Sequence, residues 1–198
     1  MPEIRDFCER LGSTSPAPGG GAAAGITLSL AAACAEKAAR FSFNDDKNEF
    51  IKRFSEIRDI GLRLSEEDQS AFSGWQEAKR LPKETDEEKQ TRNEKINYFT
   101  AECAKVPFNI CKNSLKIVFE LENFISYCNK WLISDAAMGA VLAKASFDSG
   151  LFNININLPY LKNQELLTEI DTFIKDEKEL FYKSTDYLIA FCNNSLKK

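Results

Sequence analysis

The chain has 198 residues, of which 43% are hydrophobic and 28% are charged, and its formal net charge is −4. This length and composition predict one soluble globular domain over residues 1–198. The acidic balance argues against a nucleic-acid partner, because phosphate binding needs clustered positive charge. No uncharged apolar run reaches the roughly 18 residues of a membrane span, and no basic segment of the kind that opens a secretory signal peptide precedes the most apolar run.

The chain contains no histidine, which excludes Ser–His and Cys–His catalytic pairs. It also lacks the ligand that zinc sites favour, and we expect no metal site. The six cysteines form no C-x-x-C pair and are expected to be reduced thiols packed as small apolar groups. Acid–base chemistry is therefore left to Asp, Glu, Lys, Tyr, Cys or the substrate itself, and a cytoplasmic location is expected.

The first half of the chain predicts two helices joined by a stiff loop. Apolar residues at helical spacing predict a short helix over residues 3–11, which Gly12 ends. The loop Ser13–Gly21 follows, where prolines restrict the backbone and three consecutive glycines allow close approach. An alanine-rich helix should then run from about Gly20 to Phe43. Its small side chains let other helices approach closely, so we expect it at the centre of the fold.

Apolar periodicity and stop signals predict further helices in the rest of the chain. A capping box at Thr85 and Glu88 marks one helix start, and Pro107 should kink or restart that helix. The predicted bounds are residues 46–80, 85–105 with a continuation or restart over 108–128, 135–156 and 163–194. The elements together predict an all-α fold, a bundle of long helices with a central alanine-rich helix after a Pro/Gly loop.

One segment, Phe152–Leu158, alternates apolar and polar residues, and by itself it would equally well be a strand. A lone strand has no partner, because the rest of the chain predicts none. We therefore interpret the segment as the end of a helix or an extended exit from one.

The glycines of the loop have two interpretations. A rigid loop that leads into a helix N-terminus offers backbone amides to an anion or an electron-rich oxygen. The alternative is that Gly19, Gly20 and Gly21 only permit a turn or tight helix packing.

The loop also carries a family resemblance. Ser15-Pro16-Ala17-Pro18-Gly19-Gly20-Gly21, followed by the alanine-rich helix, resembles the signature of the cyclodeaminase domain of formiminotransferase-cyclodeaminases. The same family holds stand-alone methenyltetrahydrofolate cyclohydrolases. Further segments agree with the family in order, and the resemblance covers about residues 1–195. These segments are Glu67–Phe72 with Leu81-Pro82, Ala104–Pro107 and Ser134–Leu158. Ala22 departs from the family, which often has serine there, so any contact of that hydroxyl with ligand is missing.

The resemblance implies a one-carbon folate enzyme. Such an enzyme either hydrolyses 5,10-methenyltetrahydrofolate, as a cyclohydrolase, or cyclises 5-formiminotetrahydrofolate with release of ammonia, as a cyclodeaminase. It also implies a homodimer and no cofactor beyond the tetrahydrofolate substrate. We expect a stand-alone enzyme, because no formiminotransferase segment accompanies the chain, and this slightly favours the cyclohydrolase. The alternative is a non-catalytic helical dimer that retains the fold.

Two carboxylates are the candidate catalytic groups, because a carboxylate would stabilise the methenyl cation and shuttle a proton. Asp135 is the first candidate, since it lies at a helix start outside any run of charges. Its alternative role is that of a helix-terminal acid. Asp68 is the second candidate, with Ser70 as a possible hydrogen-bond donor. Its alternative is a solvated face shared with Glu66 and Glu67.

Further residues are expected to bind the substrate. Asn153 and Asn157 would share one helical face and offer amides to the edge of a pterin, with helix C-capping as the alternative. Trp75 and Trp131 are expected in the core. The loop residues expected at the binding site are Ser15, Pro18, Gly19, Gly20 and Gly21.

Overall fold

The computed structural model describes residues 2–43 and 45–196. Within these ranges there are six α-helices and no strand, which confirms the predicted all-α fold. None of the described helices combines the length and the apolar character needed to cross a membrane. The helices are α1 (Pro2–Leu11), α2 (Gly20–Arg40), α3 (Lys47–Arg80), α4 (Asp86–Phe124), α5 (Ile133–Asn157) and α6 (Gln164–Ser195).

Helix α4 runs through Pro107 without a break. Proline removes one hydrogen bond of the helix. Pro107 is buried, and α4 packs against both α3 and α5. The packing of the flanking turns therefore continues the helix, and the restart at Pro107, one of the two predicted outcomes, was wrong.

Helix α5 continues to Asn157 and passes into a 3₁₀ turn at Leu158–Tyr160. The alternating segment is therefore the end of a helix, as one of the two interpretations held. Ile154 is fully buried, whereas Phe152 and Ile156 are exposed. The alternation reflects one buried position between two solvent-facing ones, and not a strand.

Helix α2 packs against α3, α4 and α5. It crosses α3 with the two backbones in contact at Gly25 and Gly61. A Cβ built on Gly25 would lie 2.7 Å from the backbone nitrogen of Ser65, and one on Gly61 would lie 2.7 Å from that of Ser29. Glycine is needed at both positions, because the atoms in the way belong to the backbone of the facing helix.

Helices α2 and α5 run antiparallel. Gly20, at the start of α2, lies beside the side chain of Asn153 near the end of α5. At the opposite end, Lys37 of α2 pairs with Asp135 in the first turn of α5. The Pro/Gly loop and the asparagine-rich segment therefore meet at one end of the bundle.

Candidate active site

A cleft of about 740 Å³ opens where the loop before α2 meets the bundle. Its walls come from residues 16, 17 and 19–21, one face of α3, the first half of α4, the end of α5 and the 3₁₀ turn that follows. The volume lies within the range of about 300–1,000 Å³ that is typical of small-molecule sites. Among the residues that the structure describes, no group of three or more Cys, Asp or Glu side chains is arranged to hold a metal ion.

Asp68 is the one acidic side chain among the described residues that line this cleft. Burial raises the pKa of Asp68, and the nearby backbone N–H of Ala22 offsets part of that rise. A carboxyl group with a raised pKa exchanges its proton closer to neutral pH, which suits acid–base chemistry.

Gly21 makes room for this carboxylate. A Cβ built on Gly21 would lie 2.0 Å from Oδ1 of Asp68. A Cβ on Gly20 would lie 3.6 Å from Nδ2 of Asn153, an ordinary contact, and one on Gly19 would have nothing within 4 Å. Of the three glycines, the third is therefore the one that the position of Asp68 requires.

Asn153 and Asn157 lie one turn apart on α5, and both line the cleft. Nδ2 of Asn153 donates to the backbone oxygen of Ser149 at 2.8 Å. Nδ2 of Asn157 donates to two backbone oxygens, that of Cys103 at 3.1 Å and that of Asn153 at 2.8 Å. Asn157 therefore ties the end of α5 to α4 at the cleft.

Another part of the cleft is aromatic and basic. The rings of Phe72 and Trp75 stack with centroids 6.0 Å apart and an interplanar angle of 18°. Nζ of Lys79 lies 4.6 Å from the centroid of the Trp75 ring. Tyr160 and Lys162, which follow α5, line the same cleft. These side chains suit a flat ring that carries an anionic group.

Helix α3 contributes four cleft residues of which the sequence analysis identified one. Asp68, Phe72, Trp75 and Lys79 are spaced by four, three and four residues, which places them on one helical face. Extending that spacing from Asp68 would have placed Trp75 at the site. Trp75 was predicted in the core and instead lines the cleft. Trp131 was also predicted in the core, but it is 78% exposed.

Helix α4 contributes Thr100 and Cys103, which no sequence signal identified. Burial, together with the smaller effect of the nearby charges of Asp68 and Glu102, raises the pKa of Cys103 to about 11. The thiol is therefore protonated at neutral pH and is not a ready nucleophile.

Three residues predicted at the binding site do not line the cleft. Ser70 follows Asp68 by two positions, and such positions point in widely different directions on a helix. Its hydroxyl donates to the backbone oxygen of Glu66 at 3.0 Å, so Ser70 is not the donor to Asp68. Ser15 is exposed and Pro18 is buried, and neither is part of the cleft lining.

Asp135 lies far from the cleft within one chain. Its Oδ1 is 3.0 Å from Nζ of Lys37. Lys37 follows Gly20 by 17 residues on α2, which corresponds to about 25 Å at the helical rise. A single chain therefore does not bring Asp135 and Asp68 to the same small ligand.

The sequence is similar to one family profile and to named relatives. The sequence profile of the family described as formiminotransferase-cyclodeaminase matches residues 3–176. The methenyltetrahydrofolate cyclohydrolase of Methylorubrum extorquens is 28% identical over 176 residues, which is 84% of each chain. The formimidoyltransferase-cyclodeaminase of Gallus gallus is 26% identical over 178 residues, which is 85% of this chain and 32% of that protein.

The crystal structure of formiminotetrahydrofolate cyclodeaminase from Thermotoga maritima matches with a TM-score of 0.78 at 22% identity, over 98% of this chain and 95% of that one. This likeness shows a shared fold. The named relatives favour the predicted one-carbon folate enzyme over a non-catalytic helical dimer. Because the family profile covers most of the sequence, the predicted resemblance is confirmed and the chain belongs to the formiminotransferase-cyclodeaminase family.

Proposed function

We propose that the cleft binds a reduced folate and hydrolyses the methenyl bridge of 5,10-methenyltetrahydrofolate. The observation that carries this proposal is the partly buried carboxylate of Asp68, held against Gly21 in a cleft of about 740 Å³. The proposal needs no cofactor beyond the folate itself.

The proposed chemistry uses Asp68 twice. The methenyl carbon is part of a delocalised cation between two nitrogens, and the carboxylate stabilises that charge. Water adds to the carbon while Asp68 accepts one of its protons, which leaves a tetrahedral carbon with a hydroxyl group. One C–N bond then breaks, Asp68 returns its proton to the departing nitrogen, and the hydroxyl proton passes to solvent. The product carries a formyl group on the other nitrogen.

The other cleft residues match the remaining parts of a folate. Asn157 and Asp68 both line the cleft, and their polar side chains suit the reduced pterin ring. Trp75 offers a flat surface to the aminobenzoyl ring. Lys79 and Lys162 offer positive charge to the glutamate carboxylates.

A cyclodeaminase is the second candidate. The observation that favours it is the 26% identity to the formimidoyltransferase-cyclodeaminase of Gallus gallus over 85% of this chain. Closing the ring of 5-formiminotetrahydrofolate passes through a similar tetrahedral carbon, and Asp68 would then donate a proton to the departing ammonia.

Two assays on the purified protein test these activities side by side. One follows loss of the methenyl absorbance above the uncatalysed rate, and the other follows ammonia release from the formimino substrate. Absorbance loss alone supports the cyclohydrolase, ammonia release alone supports the cyclodeaminase, and the absence of both refutes the enzyme proposal.

The role of Asp68 is tested with Asp68→Asn and a matched control, Glu66→Gln. Asp68→Asn should lower turnover by about 10²–10⁴-fold, the usual contribution of general acid–base catalysis. Glu66 is exposed and two residues away on α3, where it does not line the cleft, so Glu66→Gln should retain wild-type turnover. Equal turnover in the two variants would rule out the role of Asp68.

We also propose that the chain forms a homodimer through one side of α5. Met138, Val141, Phe152 and Ile156 recur at helical spacing and are exposed, Phe152 by 76%. Such an apolar stripe on a soluble protein is typical of an interface. Ile156 also lines the cleft, so a partner on this stripe would reach the edge of the site.

Light scattering tests the dimer. The wild-type protein should have the mass of two chains, and Val141→Glu should have the mass of one. Leu180→Glu is the matched control, because Leu180 of α6 is 46% exposed and Val141 is 49% exposed. A monomeric wild-type protein, or a dimeric Val141→Glu, would contradict the proposed interface.

In a dimer, Asp135 of one subunit would reach the cleft of the other subunit. If two α5 helices cross antiparallel near Ala145, Asp135 of the partner subunit would lie opposite Asn155, at the cleft end of α5. Asp68→Asn and Asp135→Asn would then each be inactive as homodimers. An equimolar mixture of the two variants would regain about a quarter of wild-type turnover, because half of the dimers are mixed and one of the two sites in each mixed dimer is intact. No recovery, or an active Asp135→Asn, would contradict this role.

A cytoplasmic location is proposed as well. All six cysteines are free thiols, of which Cys111 and Cys192 are buried. Unpaired thiols are typical of proteins in reducing compartments. Fractionation of the native cells tests this, and recovery outside the cytoplasm would contradict it.

A further inference from the structure

Thr100 is a buried residue of the cleft wall whose hydroxyl proton is already donated within its own helix. It is 4% exposed and lies on α4. Its Oγ1 donates to the backbone oxygen of Ile96 at 2.7 Å. A hydroxyl group has one proton, so the remaining capacity of this oxygen towards the cleft is that of an acceptor.

Asn157 also has only a hydrogen-bond acceptor left for a ligand, because its donor protons are already used. Its amide nitrogen carries two protons, and these are directed to the backbone oxygens of Cys103 and Asn153. The side-chain oxygen Oδ1 is therefore the group that remains for a ligand. The bond from Asn157 to Cys103 also brings this oxygen to the segment of α4 that holds Thr100, one turn away.

We propose that Thr100 and Asn157 form an acceptor pair that selects ligands with adjacent N–H donors, such as the 2-amino-4-oxopyrimidine edge of a reduced pterin. This inference rests on the proposed folate function and names the ring edge that the cleft recognises. A 2-amino group with its neighbouring ring N–H supplies donors that an acceptor pair can satisfy. A 2-oxo group at the same place puts an acceptor against acceptors and leaves buried polar groups without partners.

The ring edge can be tested by binding alone, without turnover. The probes are 6-methyltetrahydropterin and its 2-oxo analogue, which are nearly equal in size. The analogue carries an oxygen in place of the 2-amino group and a proton on the adjacent ring nitrogen N1. Binding is followed by isothermal titration calorimetry under anaerobic conditions, which reports binding anywhere in the cleft.

The 2-amino probe should bind at least about tenfold more tightly than the 2-oxo probe. Thr100→Val keeps the shape of the side chain and removes the acceptor, so it should reduce that preference to about threefold or less. Thr100→Ser keeps the acceptor and should keep the preference. Asn157→Leu is the second variant, and it should also reduce the preference.

The outcomes separate this inference from the proposed function. Equal affinity for the two probes, no measurable binding of either, or an unchanged preference in both Thr100→Val and Asn157→Leu would overturn the acceptor pair. Wild-type turnover of the methenyl substrate in the same preparation would then leave the proposed function intact. A clear preference without any turnover would instead support the acceptor pair and refute the enzyme.

Discussion

Substituting Gly21 by alanine tests whether the position of Asp68 controls turnover. The new Cβ would lie 2.0 Å from Oδ1 and 2.5 Å from Cγ of Asp68. Since an ordinary contact begins at 3.4 Å, Oδ1 has to move by about 1.4 Å. A misplacement of about 1 Å costs an enzyme about 10²-fold in rate. We therefore expect Gly21→Ala to lower kcat/KM for the methenyl substrate by about 10²-fold or more.

The control for this substitution is Gly19→Ala. Gly19 has an extended backbone with φ of −121°, and a Cβ there meets nothing within 4 Å. Its loss of kcat/KM should therefore be much smaller than that of Gly21→Ala. Alanine favours a helix over glycine by up to about 1 kcal/mol, which limits the loss of stability in Gly21→Ala. Thermal unfolding followed by circular dichroism checks that both variants are folded.

Two results would refute this reasoning. A folded Gly21→Ala with wild-type kcat/KM would show that the position of Asp68 does not limit the reaction. Equal losses in Gly21→Ala and Gly19→Ala would show that the loop backbone matters, and not the carboxylate that Gly21 accommodates.

Three further predictions concern stability, pH and thiol reactivity. Gly61→Ala should lower the free energy of unfolding by about 1–3 kcal/mol, because the Cβ meets the nitrogen of Ser29 at 2.7 Å; an unchanged midpoint in urea would contradict this. Burial raises the pKa of Asp68, so its ionisation costs stability as the pH rises above the unfolded value of about 3.9. Asp68→Asn should therefore gain melting temperature relative to wild type at pH 7, a gain that shrinks towards pH 4, and a gain independent of pH would contradict the shift. Cys103, with a pKa of about 11, should react with iodoacetamide more slowly at pH 7 than the exposed Cys8. Mass spectrometry measures the two rates, and a faster reaction of Cys103 would contradict the prediction.

The helices were predictable because their signals are local. Thr85 and Glu88 form the predicted capping box, and Asn163 caps α6 at the predicted place. The predicted restart at Pro107 was wrong, because the packing that continues α4 comes from residues distant in the sequence. Local patterns therefore identify helix starts better than they identify helix breaks in a packed bundle.

The candidate site was only partly predictable. Asp68 and Asn153 lie in segments that resemble the family and were identified from them. Thr100 lies in no such segment and was missed. Ser70 was wrongly joined to Asp68 because sequence proximity was given more weight than the direction of side chains on a helix. Asp135 was correctly placed at a helix start, but the sequence does not show which end of the bundle that start occupies.

The crossing of α2 and α3 explains how the loop acquires its carboxylate. Asp68 and Gly21 are distant in the sequence and meet because the helix backbones touch at Gly25 and Gly61, one to two turns away. A methyl group on Gly25 would lie 2.7 Å from the nitrogen of Ser65 and push α3 away from α2. Gly25→Ala should therefore lose stability and turnover together, whereas Gly21→Ala should lose turnover with little change in stability. If Gly25→Ala lost stability but kept wild-type kcat/KM, the distance between α2 and α3 would not set the position of Asp68.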